Sequence, residues 1–302
     1  MHERLGSAAG LRPVVLGEGR RFALWELASL AEGALGEQVE PDALTPSAER
    51  ELRARSGAAG REAPDCGRYR RRYWILGASG SPVGTIAVDN WPKWAGQLGL
   101  SSLYLRPSAR GRGFGGAALD TVYRVTLAEG LRGFRLDAHW TWQRAVHYYL
   151  RRGLWVVLWK HDLGFARTPQ LPRYEVRGES DRLVFLVEEE RSGFTPLLVA
   201  RRERQWLRLR ETEASRRMEA SDAGSWVHGY ARSTFALQLA VRGWPLVRSS
   251  ESWAQAWRWS DIGEPEGLAY KIELFEAAAR DDGWRVDTAY RPVPVEDLAD
   301  GS

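Results

Sequence analysis

The chain has a single cysteine, Cys66, among its 302 residues. That excludes an internal disulfide framework and any site built on several thiolates. Lysine is nearly as scarce: Lys93, Lys160 and Lys271 are all there is, and the other 40 basic residues are arginine. Together with abundant Ala and Gly, this bias looks like GC-rich codon usage rather than selection for phosphate contacts. The net charge is only +4, too small over this length to argue for a nucleic-acid partner unless it is clustered. No apolar run approaches the ~20 residues needed to cross a bilayer; the densest, Leu154 to Trp159, suits a buried strand. The opening Met1-His2-Glu3-Arg4-Leu5-Gly6 has no basic segment leading into an apolar one, so no secretory signal is read. The expectation is a soluble cytoplasmic chain with no membrane partner. Hydrophobic residues at 44% and charged ones at 27% are ordinary globular values, and the length suggests about two domains at ~150 residues each.

The grammar changes along the chain. Phe22, Leu24, Leu27, Leu30 and Ala31 recur at helical spacing. Thr45-Pro46 is a cap followed by proline at the first helical position, the signature of a second helix. Ser56 to Gly67 reads as loop. From Tyr69 strands take over: Tyr73–Leu76 and Val83–Val88 flank a Gly/Ser/Pro turn, and Leu98–Arg106 supplies another. A helix over 113–129, a strand over 134–138, a helix over 141–152, a strand over 154–160 and a last one over 183–187 follow. Such short alternation predicts an α/β (α+β layered) architecture, with a mixed central sheet flanked by helices. After about Gly193 the pattern predicts helices: an arginine-rich one over 198–218, then 225–242 and 268–280, with an acidic tail from Pro292. The expected domains are 1–192 and 193–302, the second α-rich with a few short strands.

The informative stretch is Leu103-Tyr104-Leu105-Arg106-Pro107-Ser108-Ala109-Arg110-Gly111-Arg112-Gly113-Phe114-Gly115-Gly116. An apolar strand runs into a polar turn, a glycine-rich arc and a helix. Gly113 and Gly115 let backbone approach a ligand without an intervening Cβ. The N–H groups left over at a helix start then point at an anion, favoured by the helix dipole, and Arg110 and Arg112 add charge at the rim. A phosphate-cradling Walker loop is excluded, because Gly116 is followed by Ala117-Ala118 rather than Lys-Ser/Thr. The dinucleotide string G-x-G-x-x-G is met literally from Gly111 to Gly116, with Asp137 near the acidic position. That motif should open a doubly wound sheet, however, and here about a hundred residues with hairpin character come first.

Arg110-x-x-Gly113-x-Gly115, followed about thirty residues later by Arg144-Ala145-Val146-His147-Tyr148-Tyr149-Leu150-Arg151-Arg152-Gly153-Leu154, resembles the GNAT superfamily of acyl-CoA N-acyltransferases. The resemblance covers roughly residues 11–190 and leaves the rest unassigned. It implies acetyl-CoA as cofactor and an amine-bearing acceptor, small molecule or peptide, with a homodimer compatible. Main-chain N–H groups of Gly111, Arg112, Gly113, Phe114, Gly115 and Gly116 would hold the pyrophosphate. Leu103, Tyr104 and Leu105 would lie on a splayed strand whose free backbone groups bind the pantetheine arm and polarise the thioester. Tyr149 matches the residue that protonates the departing thiolate in many members. Trp142 stands where the family often has Asn, so an amide contact to the cofactor arm is lost or replaced.

An amine with pKa ~10.4 needs about 4.6 kcal/mol to deprotonate at neutral pH, so a base is expected. Asp137 is the first candidate, His139 faces the same side two residues on, and Asp89 is third. No metal is expected: His2, His139, His147, His161 and His228 show no paired ligand spacing. Trp91 and Trp94 would border an acceptor pocket or pack between domains. Arg201, Arg202, Arg204, Arg208, Arg210, Arg216 and Arg217 would form a basic helix face interleaved with glutamates, which fits a solvated surface. Two other functions stay open: a non-catalytic coenzyme A-binding or protein-interaction module on the same fold, and a nucleic-acid-directed protein.

Overall fold

The computed structural model describes residues 1–57, 70–89, 96–159, 162–169, 173–178, 180–189, 193–203, 206–220, 225–242 and 265–280, with 171, 244 and 290–291 besides. The chain divides into two compact units, Met1–Pro92 with Gly96–Leu136, and Lys93–Ala95 with Asp137–Ser302. No helix among the described residues is long and apolar enough to cross a membrane.

The first unit holds α1 (His2–Gly6), β1 (Leu11–Pro13), α2 (Gly19–Leu35), α3 (Pro46–Arg55), β2 (Arg70–Leu76), β3 (Pro82–Asp89), β4 (Leu98–Leu105), α4 (Phe114–Ala128) and the start of β5 (Phe134–His139). Strands β1 to β5 are neighbours in chain order. The first three pairings are antiparallel and β4–β5 is parallel. As its sequence signals predict, α3 starts at Thr45, whose hydroxyl accepts from the Ala48 N–H at 3.2 Å, with Pro46 at the first helical position.

Helix α2 is fixed by aromatic packing with polar anchors. Phe22, Trp25 and Ala28 bury against Trp74, Ala87 and Tyr104. Trp25 stands edge-on to Trp74 at 5.5 Å and to Tyr104 at 6.2 Å. A buried indole needs a partner for its N–H, and each finds a carboxylate. Trp25 donates to Asp42 at 3.0 Å, and Trp74 to Glu18 at 3.0 Å. Each acid is itself held by an arginine, Asp42 by Arg21 and Glu18 by Arg12. Charge-assisted bonds thereby tie the start of the helix to the sheet through Glu18 and its first half to the Pro41–Ala43 turn through Asp42.

The second unit holds the end of β5, α5 (Gln143–Arg151), β6 (Trp155–Trp159) and β7 (Asp162–Arg167), with β7 between β5 and β6. These complete a seven-stranded mixed sheet. A separate five-stranded sheet follows, ordered β11-β10-β9-β8-β12, from β8 (Tyr174–Gly178), β9 (Arg182–Glu189), β10 (Gly193–Glu203), β11 (Trp206–Glu211) and β12 (Tyr290–Arg291). Helices α6 (Glu213–Ala220), α7 (Ser225–Val241) and α8 (Pro265–Arg280) accompany it. Phe185 stacks on Tyr174 at 4.8 Å and meets Phe235 of α7 at 5.5 Å, so α7 covers this sheet.

The arginine-rich helix expected over 198–218 is mostly strand. Leu198–Arg201 of β10 pair with β9, and Leu198–Glu203 pair with Glu211–Trp206 of β11. The physical reason is period: Trp206-Leu207-Arg208-Leu209-Arg210 alternates apolar and charged at two residues, which a ladder satisfies and a helix does not. Arg201 and Arg202 lie on β10, Arg208 and Arg210 on β11, and Arg216 and Arg217 on α6; Arg204 falls outside the described residues. The continuous basic helix face proposed for nucleic acid therefore does not form. Strands β7 and β8 also lie where the sequence reading expected none. The anticipated boundary at 192/193 falls in the turn between β9 and β10, inside the second unit. Cys66, Trp91, Trp94, the Trp253–Trp259 segment and the acidic tail from Pro292 lie outside the described residues.

The Glu18 cluster has a pH signature. Hydrogen bonds from Arg12, and then from the Val15 N–H, hold its carboxyl at about 2, against an ordinary 4.5. A depressed folded-state pKa contributes stability that is complete above the unfolded value and disappears as pH falls from about 4.5 through about 2. Glu18→Gln should therefore lower the urea midpoint at neutral pH, and the gap from the parent should close progressively in that acid window. A gap that stays constant from neutral pH into acid would show that the ionised carboxylate is not what anchors Trp74 and Arg12.

Candidate functional site

Strand β4 is the axis of the site. Its pairing to β3 runs Leu105↔Gly84, Tyr104↔Thr85, Leu103↔Ile86, Ala87↔Ser102 and then Val88↔Leu100, which leaves Ser101 as the extra residue of a β-bulge. On its other edge β4 meets β5 at Leu98↔Phe134 and Gly99↔Arg135. Leu100 to Leu105 extend beyond that pairing. Leu103 and Leu105 are partly buried. The Tyr104 side chain belongs to the core: its hydroxyl donates to the Val39 carbonyl at 2.8 Å, and burial pushes the phenol up to about 12. What Tyr104 can offer a cofactor is backbone.

Beyond β4 the chain turns through Pro107–Ala109 and enters the glycine arc. Gly111 has φ +73° and Gly113 φ +85°, and Gly113 is the N-cap of α4. Only glycine adopts this left-handed region without strain. A Cβ built on either residue would meet no atom within 4 Å, so it is the backbone conformation and not crowding that calls for glycine here. The first bond of α4 runs from Ala117 N–H to the Gly113 carbonyl at 3.0 Å, and no side chain caps the helix. Among the described residues, the N–H groups from Gly111 through Gly116 reach no other main-chain carbonyl. Gly115 and Gly116 are buried in the first helical turn. Bare amides, a helix dipole and room for a ligand are what a pyrophosphate requires, and the residues present fit one.

Arg110 departs from its expected place at the rim of an anion site. Its Nε donates to the Leu105 carbonyl at 2.9 Å, and its two terminal nitrogens clasp both Glu32 oxygens. The guanidinium therefore ties the arc to the end of α2 and to the last residue of β4. Arg112 is exposed, its guanidinium 5.5 Å from the Phe114 ring; it supplies the rim charge.

In the second unit, Tyr149 lies on the buried face of α5, 8% exposed, with its ring 5.4 Å from Phe165. Burial, and to a smaller extent Tyr148, raises its phenol far above the ordinary value. No hydrogen bond of its hydroxyl forms among the described residues. Trp142 is the N-cap of α5 and provides no side-chain cap, as the absence of an amide there implies. Asp137 is exposed on β5, and Gly164 of β7 leaves it space: a Cβ there would lie 3.2 Å from Asp137 Oδ1. His139 is locally engaged. Its Nδ1 lies 2.6 Å from Thr141 Oγ1 and accepts from the Thr141 N–H at 3.3 Å.

Two features of these units were not read from the sequence. Asp89, 6% exposed, lies over Gly99, where any Cβ would collide with its Oδ1, and that oxygen is buried without a hydrogen bond, as are both polar side-chain atoms of Gln97. Gln97 carries no motif. Helix α8 packs on α5: Tyr270 lies 6.4 Å from His147 and 6.2 Å from Trp140, and Gly267 sits against the Trp140 indole. Lys271, next along α8, is fully buried, and desolvation holds its amine down to about 8 while Asp162 opposes the shift.

Because Arg110 braces the arc without facing its concave side, Arg110→Ala should weaken coenzyme A binding about tenfold or more in calorimetry. Arg112→Ala, which removes rim charge alone, should cost less and make binding less sensitive to salt. Equal affinity of the Arg110→Ala variant and the parent would mean that the arc holds its shape unaided.

No curated protein matches the chain. Among solved structures it resembles the PaiA N-acetyltransferase from Thermoplasma acidophilum, in complex with coenzyme A, at 15% identity, covering 52% of this chain and 98% of that one, with a TM-score of 0.36. An acetyltransferase from Thermus thermophilus is similar at 20% identity, 52% and 95% coverage and a TM-score of 0.36. Spermidine N-acetyltransferase from Vibrio cholerae, in complex with coenzyme A and spermine, gives 15%, 53%, 94% and 0.33. Residues 38–154, the stretch that includes the bulged strand, the glycine arc and α5, match the family described as Acetyltransferase (GNAT) family.

Proposed function

We propose that this protein is an N-acetyltransferase that moves an acetyl group from acetyl-CoA to an amine by direct attack, without a covalent enzyme intermediate. The reading rests above all on the glycine arc at the mouth of α4, where the N–H groups from Gly111 to Gly116 reach no main-chain carbonyl among the described residues. The N–H groups of Gly111 to Gly116 hold the pyrophosphate, with Arg112 at the rim. Beyond its last pairing with β5, the backbone of β4 binds the pantetheine arm and donates to the thioester oxygen as negative charge develops. When bound, acetyl-CoA supplies an activated acyl group and a thiolate leaving group.

Tyr149 delivers its phenolic proton to the departing sulfur. Burial favours this assignment, because it keeps the phenol protonated throughout the range in which an amine nucleophile becomes available. Asp137, exposed on β5, accepts the proton of the incoming ammonium through water. That step bears on the roughly 4.6 kcal/mol an amine of pKa ~10.4 needs to become neutral at pH 7. His139, with Nδ1 engaged by Thr141, orients the chain after β5 rather than acting as the base.

Thiol release from acetyl-CoA over a panel of primary amines is the test. The parent should turn over at least one amine, and Tyr149→Phe should lower kcat by about a hundredfold or more. That loss should be the same factor from neutral pH to the onset of alkaline inactivation, because the phenol does not titrate there. Turnover unchanged in Tyr149→Phe would remove the acid from the mechanism. Tight coenzyme A binding with no amine consumed would favour a non-catalytic coenzyme A-binding protein.

A further inference from the structure

The second unit contains a cluster that the transferase chemistry does not use. Glu211 ends β11, Glu219 lies in the last turn of α6, and His228 lies in the first turn of α7. One donor atom from each lies within 4.8 Å of the others. His228 is 4% exposed. Its Nε2 lies 3.4 Å from Glu211 Oε1, and both atoms are buried without a hydrogen bond. The separation exceeds the usual N–H···O range.

The same separation suits two ligands of one ion. A tetrahedral centre with bonds of about 2.1 Å to imidazole nitrogen and carboxylate oxygen holds its ligands about 3.4 Å apart. Glu219 reaches the cluster from the α6 side: its Oε1 lies 4.0 Å from Nδ1, the other ring nitrogen of His228, and its side chain is 56% exposed. One donor atom from each of the three residues still falls within 4.8 Å of the other two. Arg232, one turn after His228 on α7, brings Nε to 3.7 Å from Glu211 Oε1 and reduces the local negative charge. The backbone is braced at the same point: Thr212 caps α6 by accepting from the Ser215 N–H at 3.2 Å, and it donates to the Pro196 carbonyl at 2.8 Å.

We propose that Glu211, Glu219 and His228 bind one divalent transition metal of the zinc class, with water as the fourth ligand, and that the ion fastens β11, α6 and α7 together. An imidazole among two carboxylates favours such an ion over magnesium or calcium, which prefer all-oxygen sets. This site departs from the expectation that the chain holds no metal. Histidine spacing could not show it, because one histidine and two glutamates come from three separate elements.

Full-length protein stripped with a chelator and titrated with zinc chloride tests the proposal, with bound metal counted by elemental analysis. Expected are one zinc per chain and a rise in melting temperature that chelator reverses. Cobalt(II) in place of zinc should give the visible absorption of a four-coordinate nitrogen/oxygen site. His228→Ala should abolish stoichiometric binding. Because that variant alters a buried residue, Glu219→Gln is the decisive one: its exposed side chain should leave the metal-free melt unchanged and weaken zinc at least tenfold. Substoichiometric zinc in the parent, or equal affinity in Glu219→Gln, would overturn the site. Neither result bears on coenzyme A binding or amine turnover, which stand or fall separately.

Discussion

Everything proposed for this protein's transferase chemistry depends on a short row of main-chain N–H groups, Gly111 to Gly116, left without carbonyl partners where α4 begins. A helix start always leaves such donors; the surroundings decide whether they become a site. Here the backbone is left-handed at Gly111 and Gly113, and nothing fills the space a side chain would occupy. The arc is held from behind by Arg110 on Glu32 and the Leu105 carbonyl. That brace is anchored in turn, because α2 is fixed by Trp25 and Trp74 donating to Asp42 and Glu18. Tryptophan burial, carboxylate anchoring and arc geometry thus form one chain of dependence within the first unit.

A second constraint comes from β4. The bulge at Ser101 and the end of pairing with β5 after Gly99 leave β4 in strand pairing with β3 alone beyond that point. A strand hydrogen-bonded on both sides could not offer N–H groups to a carbonyl. One free on both sides would have no reason to keep its shape. The half-paired strand meets both needs, and it does so with residues such as Tyr104 whose side chains serve the core.

The central architecture was legible in the sequence where local chemistry was strong. Thr45-Pro46 announced α3, the Gly/Ser/Pro turn announced the β2–β3 hairpin, and the glycines announced the start of α4. It was illegible where two periods competed. Residues 198–211 carry enough arginine and leucine to look helical, yet their apolar positions alternate, and pairing with β9 determines the outcome. Strands β7 and β8 are short and interrupted by glycine or flanked by proline, so no run stood out. In the candidate site, the left-handed glycines of the arc could be anticipated from residue type. Side-chain partners could not: the Glu32 clasp on Arg110 spans 78 positions, and the contact between His139 and Thr141 depends on a turn. The Glu211–Glu219–His228 grouping likewise arises only from strand and helix placement.

The most direct measurement is the amide spectrum of isotopically labelled protein during titration with coenzyme A. If bare peptide nitrogens hold the pyrophosphate, the resonances of Gly111 to Gly116 move downfield as a group, with saturation matching the calorimetric affinity. Coenzyme A that binds while those amides stay unmoved, or that does not bind at all, would contradict the account at its foundation.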